Sequence, residues 1–188
     1  MANQMDYEIN KELGECYLFM GELDKAEDYY RKAVSSNGIH PDPYLGLATI
    51  AMQRGAFDAA YDMYAKASSI EPSDKALAGM AIVLMENGSH EEAYANFEKA
   101  LDCNPQNMIA LHGLLQEGFQ LDRLNEVEAR LRACLEVQPD QQAVRFALAG
   151  CLVTGGATEE AKRELEALLA INPAHTEANE LYEELLKK

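Results

Sequence analysis

Four prolines recur at nearly constant spacing along this 188-residue chain and constrain its fold more than any other feature. Pro72, Pro105, Pro139 and Pro173 stand 33, 34 and 34 residues apart. A fixed period of this length is the sequence signature of a repeat architecture, in which similar units stack against their neighbours. The chain is therefore predicted to be an array of units of about 34 residues.

The same order of side-chain sizes precedes each of these prolines. A small residue is followed four positions later by a large one and three positions after that by another small one, as in Ala60, Tyr64 and Ala67. The later copies follow this order less strictly, because Val127 and Leu168 stand at positions where the pattern has small residues. Residues at these spacings share one helix face, so the pattern predicts a helix that packs closely against its neighbour. The proline five positions later ends that helix, because it disfavours the α conformation of the residue before it.

A residue suited to the left-handed backbone conformation recurs five positions before the first small residue. It is glycine in four copies and aspartate in one: Gly21, Gly55, Gly88, Asp122 and Gly156. Glycine at this spacing predicts the C-terminal cap of a preceding helix, so each unit is expected to be helix, tight turn, helix. Because Ala, Leu and Glu greatly outnumber Val, Ile and Thr, the chain is predicted to be all-α, without a substantial sheet.

The pattern resembles the tetratricopeptide repeat family, whose first helix carries Leu followed by Gly or Ala. Four units match this pair closely, with Leu13-Gly14, Leu47-Ala48, Met80-Ala81 and Leu148-Ala149. The remaining unit has Leu114-Leu115, so a leucine stands where the family has Gly or Ala. The resemblance implies a right-handed α-α superhelix, a solenoid of five hairpins near residues 7–40, 41–73, 74–107, 108–141 and 142–175, with a capping helix over 176–188. Because one hairpin cannot bury its apolar face alone, residues 1–188 are predicted to form a single domain.

The charge of the chain narrows its possible partners. The net charge is -16, and nucleic-acid binding would need a basic face, so DNA and RNA are not expected as partners. An acidic surface favours basic partners instead. No secretion signal or apolar stretch long enough to span a bilayer is visible, so we expect no direct membrane insertion, a cytoplasmic location and reduced thiols.

Catalytic and metal-binding patterns are not found in the sequence. The four histidines fall in four different repeats, and no nucleophile or phosphate-loop motif occurs. We therefore expect a non-enzymatic protein without cofactor or metal. Four cysteines occur in the chain, Cys16, Cys103, Cys134 and Cys151. At the same repeat positions the other units carry apolar or small residues, so all four cysteines are expected to be buried.

Binding residues are sought where the resemblance implies a concave surface, lined mainly by the first helix of each unit. The candidate partner-binding residues at inward positions are Lys11, Glu15, Leu45, Thr49, Met52, Lys75, Ile82, Met85, His112, Gln116, Phe119, Phe146 and Val153. Another inward position is Gly or Ala in four of the five units, which is expected to let a partner backbone approach closely. A second interpretation is that the apolar members of this set pack between adjacent repeats.

These observations favour a protein-interaction scaffold that holds a largely apolar helical or extended partner segment with a basic end, as a chaperone or assembly adaptor. The carboxylate clamp by which some family members bind heat-shock chaperones is excluded, because Glu15, Gly46 and Gly79 stand where that clamp has asparagines and an arginine. The alternative is a structural self-assembly module, a homo-oligomer in which the groove takes a helix or terminus of another copy.

Overall fold

The computed structural model describes residues 2–187, with side chains for residues 4–187. This part of the chain consists of helices without any strand: α1 Ala2–Phe19, α2 Leu23–Ser36, α3 Asp42–Gln53, α4 Phe57–Ile70, α5 Asp74–Glu86, α6 His90–Cys103, α7 Met108–Gln120, α8 Leu124–Val137, α9 Gln142–Thr154, α10 Thr158–Ile171 and α11 Thr176–Leu186. The predicted all-α fold of five hairpins and a terminal helix is confirmed. Met1 and Lys188, the ends of the predicted domain, lie outside the described residues.

Residues up to Cys103 form one compact unit of three hairpins. In each hairpin the two helices pack against each other, and α2 and α4 also pack on the first helix of the next hairpin. The predicted small positions, such as Ala26, Ala60 and Ala93, are fully buried, because only a methyl group fits where two helix backbones approach this closely. Helix α1 begins at Ala2, earlier than the predicted start near Tyr7.

Residues from Asn104 onward form a second compact unit, with two hairpins and α11. Its core contains Leu131, Leu148, Leu165 and Leu168, each at most 2% exposed. Helix α11 packs on α10 and buries Leu185. That the five hairpins form one domain stays a prediction. None of the described helices combines the length and the apolar character needed to cross a bilayer.

The turns inside the hairpins have the backbone conformation that the sequence predicts. The four cap glycines and Asp122 all have positive φ, between 58° and 80°. At Gly55 the amide donates to the Met52 carbonyl at 3.0 Å, and the next amide, of Ala56, donates to Ala51 at 2.9 Å. This pairing satisfies carbonyls that the helix end leaves without partners. It reverses the chain within two residues and so sets the two helices of a hairpin side by side.

Candidate functional site

The predicted binding residues all lie on first helices of hairpins, α1, α3, α5, α7 and α9, and none of them is buried. Among the apolar members only Phe119 is exposed, at 70%, and the others are half-buried. An exposed phenylalanine on a helix is costly to leave in water, since burying such a ring contributes about 2 kcal/mol or more. These side chains are therefore accessible in the free chain, as a binding surface requires.

In the second unit, three of the predicted residues meet around one open cavity of about 490 Å³. Its walls come from α7, from the start of α8 and from α9, and they include the predicted Gln116, Phe119 and Phe146 together with Leu115, Leu124, Ala143, Ala147, Gly150, Cys151 and Thr154. The lining is mostly apolar, and the volume falls within the range of about 300–1,000 Å³ that is typical of ligand pockets. This cavity, called here the α7–α9 cavity, is the candidate functional site.

Two aromatic side chains from different helices line the α7–α9 cavity. Phe119 projects from the last turn of α7, while Phe146 on α9 is half-buried. The ring of Phe146 lies 5.3 Å from the ring of His175, at an interplanar angle of 34°. Phe146 thus packs against His175, whereas the exposed ring of Phe119 is available to an apolar side chain that enters the cavity.

The floor of the α7–α9 cavity is open at Gly150. A Cβ atom added to Gly150 would meet no heavy atom within 4 Å outside its own helix turn. Thr154 donates to the Gly150 carbonyl at 3.0 Å, so that the hydroxyl is paired along the helix. A partner group can therefore approach the backbone of α9 closely at this point.

The cavity lies beside the residue at which the repeat pattern departs most. Leu115 of α7 stands where the other units have Gly or Ala, and it lines the α7–α9 cavity together with Leu124 from the start of α8. A leucine cannot fit between two close helices as a methyl group or hydrogen does. Leu115 and Leu124 are binding-site candidates that the sequence reasoning missed, although the departure at Leu115 was the signal.

The other two predicted residues of the second unit lie outside the α7–α9 cavity. His112 is exposed and borders a smaller cavity of about 90 Å³ between α7, α8 and α9. Val153 is half-buried on α9. The structure thus brings together Gln116, Phe119 and Phe146 around one cavity, whereas His112 borders a neighbouring cavity that shares Leu115, Ala143 and Ala147 with it, and Val153 lines neither.

In the first unit the predicted residues Leu45, Thr49, Met52, Ile82 and Met85 are half-buried along α3 and α5, and Lys75 is exposed. Thr49 donates to the Leu45 carbonyl at 2.9 Å. A cavity of about 220 Å³ in this unit lies elsewhere, between α2, α3 and α4. None of the predicted residues lines this cavity. Arg54 is among its lining residues, and the guanidinium of Arg54 pairs with Asp24 at 2.5 Å and also with Glu27.

The first hairpin is strongly acidic around Tyr7 and Lys11. Lys11 lies 3.4 Å from the carboxylate of Glu8. Desolvation opposes its charged form, but the nearby carboxylates, Glu8 foremost, outweigh this and raise its pKa. Burial, aided by the charges of Asp42, Glu8 and Glu15, raises the pKa of Tyr7 to about 12. The carboxylates that raise the pKa of Lys11 favour a cationic partner group near Glu15.

Gly46 of α3 and Gly79 of α5 do not leave room for a partner backbone. The prediction that a partner backbone could approach closely at this inward position is therefore wrong for these two glycines. Both are buried. A Cβ on Gly46 would lie 2.3–2.7 Å from ring atoms of Tyr30, and one on Gly79 would lie 2.4–2.7 Å from ring atoms of Tyr64. The absent side chains make space for tyrosines of the preceding helix, and this space belongs to the core.

The prediction that all four cysteines are buried is wrong for two of them. Cys134 and Cys151 are buried, whereas Cys16 and Cys103 are exposed. Cys103 occupies the same repeat position as Val137 and Ile171, and these two apolar residues are themselves 57% and 42% exposed. An apolar residue at this position in other units was therefore not a sign that the position is buried. Among the side chains that the structure describes, no group of three or more His, Cys, Asp or Glu could hold a metal ion.

Two fast and two slow thiols are therefore expected when the native chain is treated with iodoacetamide. Burial blocks access to Cys134 and Cys151 and also raises their pKa, which lowers the thiolate fraction. Peptide mass spectrometry at timed intervals would identify Cys16 and Cys103 as the modified residues. In guanidinium all four should react alike, and equal rates in the native chain would contradict the burial pattern.

The sequence was compared with known protein families. A family model described as tetratricopeptide repeat matches residues 20–83 and 114–185, and a second model of the same description matches residues 75–107. A curated relative, BBSome complex member BBS4 from Bos taurus, is 36% identical over 75 residues, which is 40% of this chain and 14% of that protein. The chain thus spans about one seventh of the length of the curated relatives that it matches.

The structure was also compared with solved structures. A structure described as a functional characterisation of Pseudomonas aeruginosa pilF superposes with a TM-score of 0.79 at 19% identity, covering 100% of this chain and 86% of that chain. YrrB, described as a tetratricopeptide repeat protein with an unusual peptide-binding site, gives 0.69 at 18% identity, covering 93% and 90%. MamA gives 0.70 at 15% identity, covering 89% and 92%. At these identities the likeness concerns the fold.

Proposed function

The chain belongs to the tetratricopeptide repeat family, a family of protein-interaction scaffolds, and from that premise we propose that it is a non-enzymatic scaffold that binds a segment of another protein. The segment is largely apolar, helical or extended, and has a basic end. The α7–α9 cavity takes its apolar anchor, and the net charge of -16 favours its basic end. The single observation that carries the proposal is the open apolar cavity beneath the exposed ring of Phe119.

The chemistry of the partner follows from two features of the described residues. The α7–α9 cavity is bordered by two phenylalanines and offers few polar groups, so it favours a large apolar side chain over a polar one. The acidic surroundings of Lys11 and Tyr7 favour Lys or Arg over Asp or Glu. A role as chaperone or assembly adaptor in the cytoplasm is consistent with such a partner.

A defined peptide tests this function directly. The probe is a labelled amphipathic peptide with Leu and Phe along one helical face and two lysines at one end. Replacing Phe119 by Glu is expected to weaken binding by about 30-fold, or about 2 kcal/mol, because the charge faces the apolar anchor. The melting temperature should stay unchanged, since Phe119 is 70% exposed in the free chain. Fluorescence anisotropy and circular dichroism measure the two quantities.

A second variant and two peptides serve as controls. Gly150→Leu places a side chain in the α7–α9 cavity from a position at which an added Cβ meets no heavy atom within 4 Å, so it should also abolish binding. Ile171→Glu changes an exposed apolar residue of the same unit and should not affect binding. A peptide whose apolar face is replaced by serine should not bind, and one with glutamates at its end should bind more weakly. Unchanged binding in Phe119→Glu and Gly150→Leu would exclude this cavity as the site.

A further inference from the structure

A cavity in the second hairpin lies at a repeat position where the first hairpin has an aromatic ring. In the first hairpin the ring of Tyr17 on α1 stacks on that of Tyr29 on α2, with centroids 5.3 Å apart and an interplanar angle of 6°. One repeat later, 34 residues along the chain, the two positions carry Ala51 and Met63. Both line the cavity of about 220 Å³ between α2, α3 and α4, which is called here the Ala51 pocket.

The pocket lies beside a side chain that is smaller than most of its counterparts. Three of the other four hairpins have a large residue at the repeat position of Ala51, namely Tyr17, Leu84 or Leu152, and the remaining one has Gly118. Protein interiors leave few voids larger than a water molecule, and an apolar cavity of about 150 Å³ can hold a benzene ring. The Ala51 pocket is therefore large enough for one aromatic side chain.

The Ala51 pocket has an apolar lining and opens to solvent. Leu47, Ile50 and Met63 line it, and because such side chains offer no hydrogen bonds to water, an apolar group is favoured there over water. The thioether of Met63 also makes favourable contacts with aromatic rings. Ala56 and Ala59 belong to the lining as well and are exposed, so a side chain can enter from outside.

Two guanidinium groups that line the pocket are fixed on one carboxylate. Arg31 donates from Nε and Nη2 to one oxygen of Glu27, at 2.9 and 2.6 Å, and Arg54 donates to the other oxygen. This pairing uses N–H groups at the edge of each guanidinium and leaves its planar face for stacking on a ring. In the first hairpin a cation likewise lies beside the ring, with the ammonium of Lys25 5.1 Å from the centroid of Tyr17.

We propose that the Ala51 pocket binds an aromatic side chain, tyrosine or phenylalanine, of a partner protein. The ring takes the place that Tyr17 has in the first hairpin and contacts Met63 as Tyr17 contacts Tyr29. A charged side chain is disfavoured, because the arginines of the lining and the carboxylates beside them are already paired. An aliphatic side chain would fill the space but would lack the contacts with sulfur and guanidinium faces. The pocket shares no residue with the α7–α9 cavity, so the proposal does not depend on that site.

Methionine-methyl NMR on the full chain tests the proposal with two probes, p-cresol and the peptide acetyl-Gly-Gly-Tyr-Gly-Gly-amide. Each should move the methyl signal of Met63 upfield, because the ring current of a bound aromatic ring acts on nearby protons. Met63→Leu identifies this signal. The compound 4-methylcyclohexanol carries the same substituents on a saturated ring. It should bind at least fivefold more weakly than p-cresol, since it makes neither cation–π nor sulfur–aromatic contacts.

Filling the pocket from within should prevent binding. Ala51→Tyr restores the ring of the first hairpin, so it should shift the Met63 signal without any probe, keep or raise the melting temperature, and abolish binding of both probes. Ala59→Phe, at an exposed position of the lining, is the second variant in case the change at position 51 disturbs the fold, and it should weaken binding at least fivefold. Phe119→Glu changes the α7–α9 cavity and should leave the response of Met63 to both probes unchanged.

Four results would overturn the proposal. One is a Met63 signal that stays in place at high p-cresol concentration, and another is equal binding of 4-methylcyclohexanol, which would make the pocket a general apolar cavity. Binding of p-cresol without binding of the tyrosine peptide would show that a ring carried by a protein chain cannot enter. Binding that survives both Ala51→Tyr and Ala59→Phe would locate the probes elsewhere. None of these results bears on binding of the amphipathic peptide at the α7–α9 cavity.

Discussion

Replacing Gly46 by alanine is expected to destabilise the chain by about 3 kcal/mol, in spite of the higher helix propensity of alanine. The new methyl group would lie 2.3 Å from Cζ of Tyr30, well inside van der Waals contact. The ring has little room to move, because it also packs against Gly14, where an added Cβ would lie 2.8 Å from it. Helices α2 and α3 would have to separate, which opens the packing around Tyr30.

The matched control for Gly46→Ala is Gly150→Ala. Both glycines lie inside first helices, but a Cβ at Gly150 meets no neighbour within 4 Å, so alanine there should be neutral or stabilise by up to about 1 kcal/mol. Thermal and urea unfolding of both variants would measure the difference, with a fall of about 10 °C expected for Gly46→Ala. Equal stability of the two variants would show that the Tyr30 ring is not what requires glycine at position 46.

A double variant isolates the contact between ring and glycine. Tyr30→Leu alone should cost about 2 kcal/mol, because it removes a buried ring. Combined with Gly46→Ala it should cost clearly less than the sum of the two single changes, since the methyl group then occupies part of the space left by the ring. Additive costs would contradict a direct contact.

Deleting residues 174–188 is expected to have the second large effect, a loss of several kcal/mol of stability or aggregation from the second unit. Helix α11 buries Ala178 and Leu185, and the hydroxyl of Tyr182 donates to Glu166 of α10 at 2.5 Å. Without α11 the apolar side of the last hairpin would face water. Hydrogen exchange should show lost protection in α9 and α10, while α1–α6 of the first unit stay protected.

Two adjacent leucines provide the point-mutation test of the same contact. Leu185 is 2% exposed and Leu186 is 60% exposed. Leu185→Ala should therefore cost about 3 kcal/mol, while Leu186→Ala should cost less than about 0.5 kcal/mol. A soluble and equally stable truncated chain, or equal effects of the two substitutions, would contradict a capping role for α11.

Three residues that line the candidate site in the second unit could be located from the sequence, whereas the sequence located no cavity in the first unit. The phase of the repeat placed Gln116, Phe119 and Phe146 on inward positions, and these residues line one cavity. In the first unit the same phase selected Gly46 and Gly79 as open floor, whereas tyrosine rings fill that space. Periodicity identifies equivalent positions, but the size of a side chain on the neighbouring helix decides whether a position is open.

The sequence by itself determined the helices, their ends and their pairing into hairpins, because these depend on local chemistry. Pro72, Pro105, Pro139 and Pro173 each stand two residues after the end of a helix, because proline disfavours the α conformation of the residue before it. The residues at positions 21, 55, 88, 122 and 156 all have the left-handed conformation that the spacing predicts. The tertiary structure alone decided exposure. Cys16 and Cys151 occupy the same repeat position, yet Cys151 is buried and Cys16 is exposed on α1. Burial depends on what packs against a residue, and within the described residues no hairpin covers that side of α1.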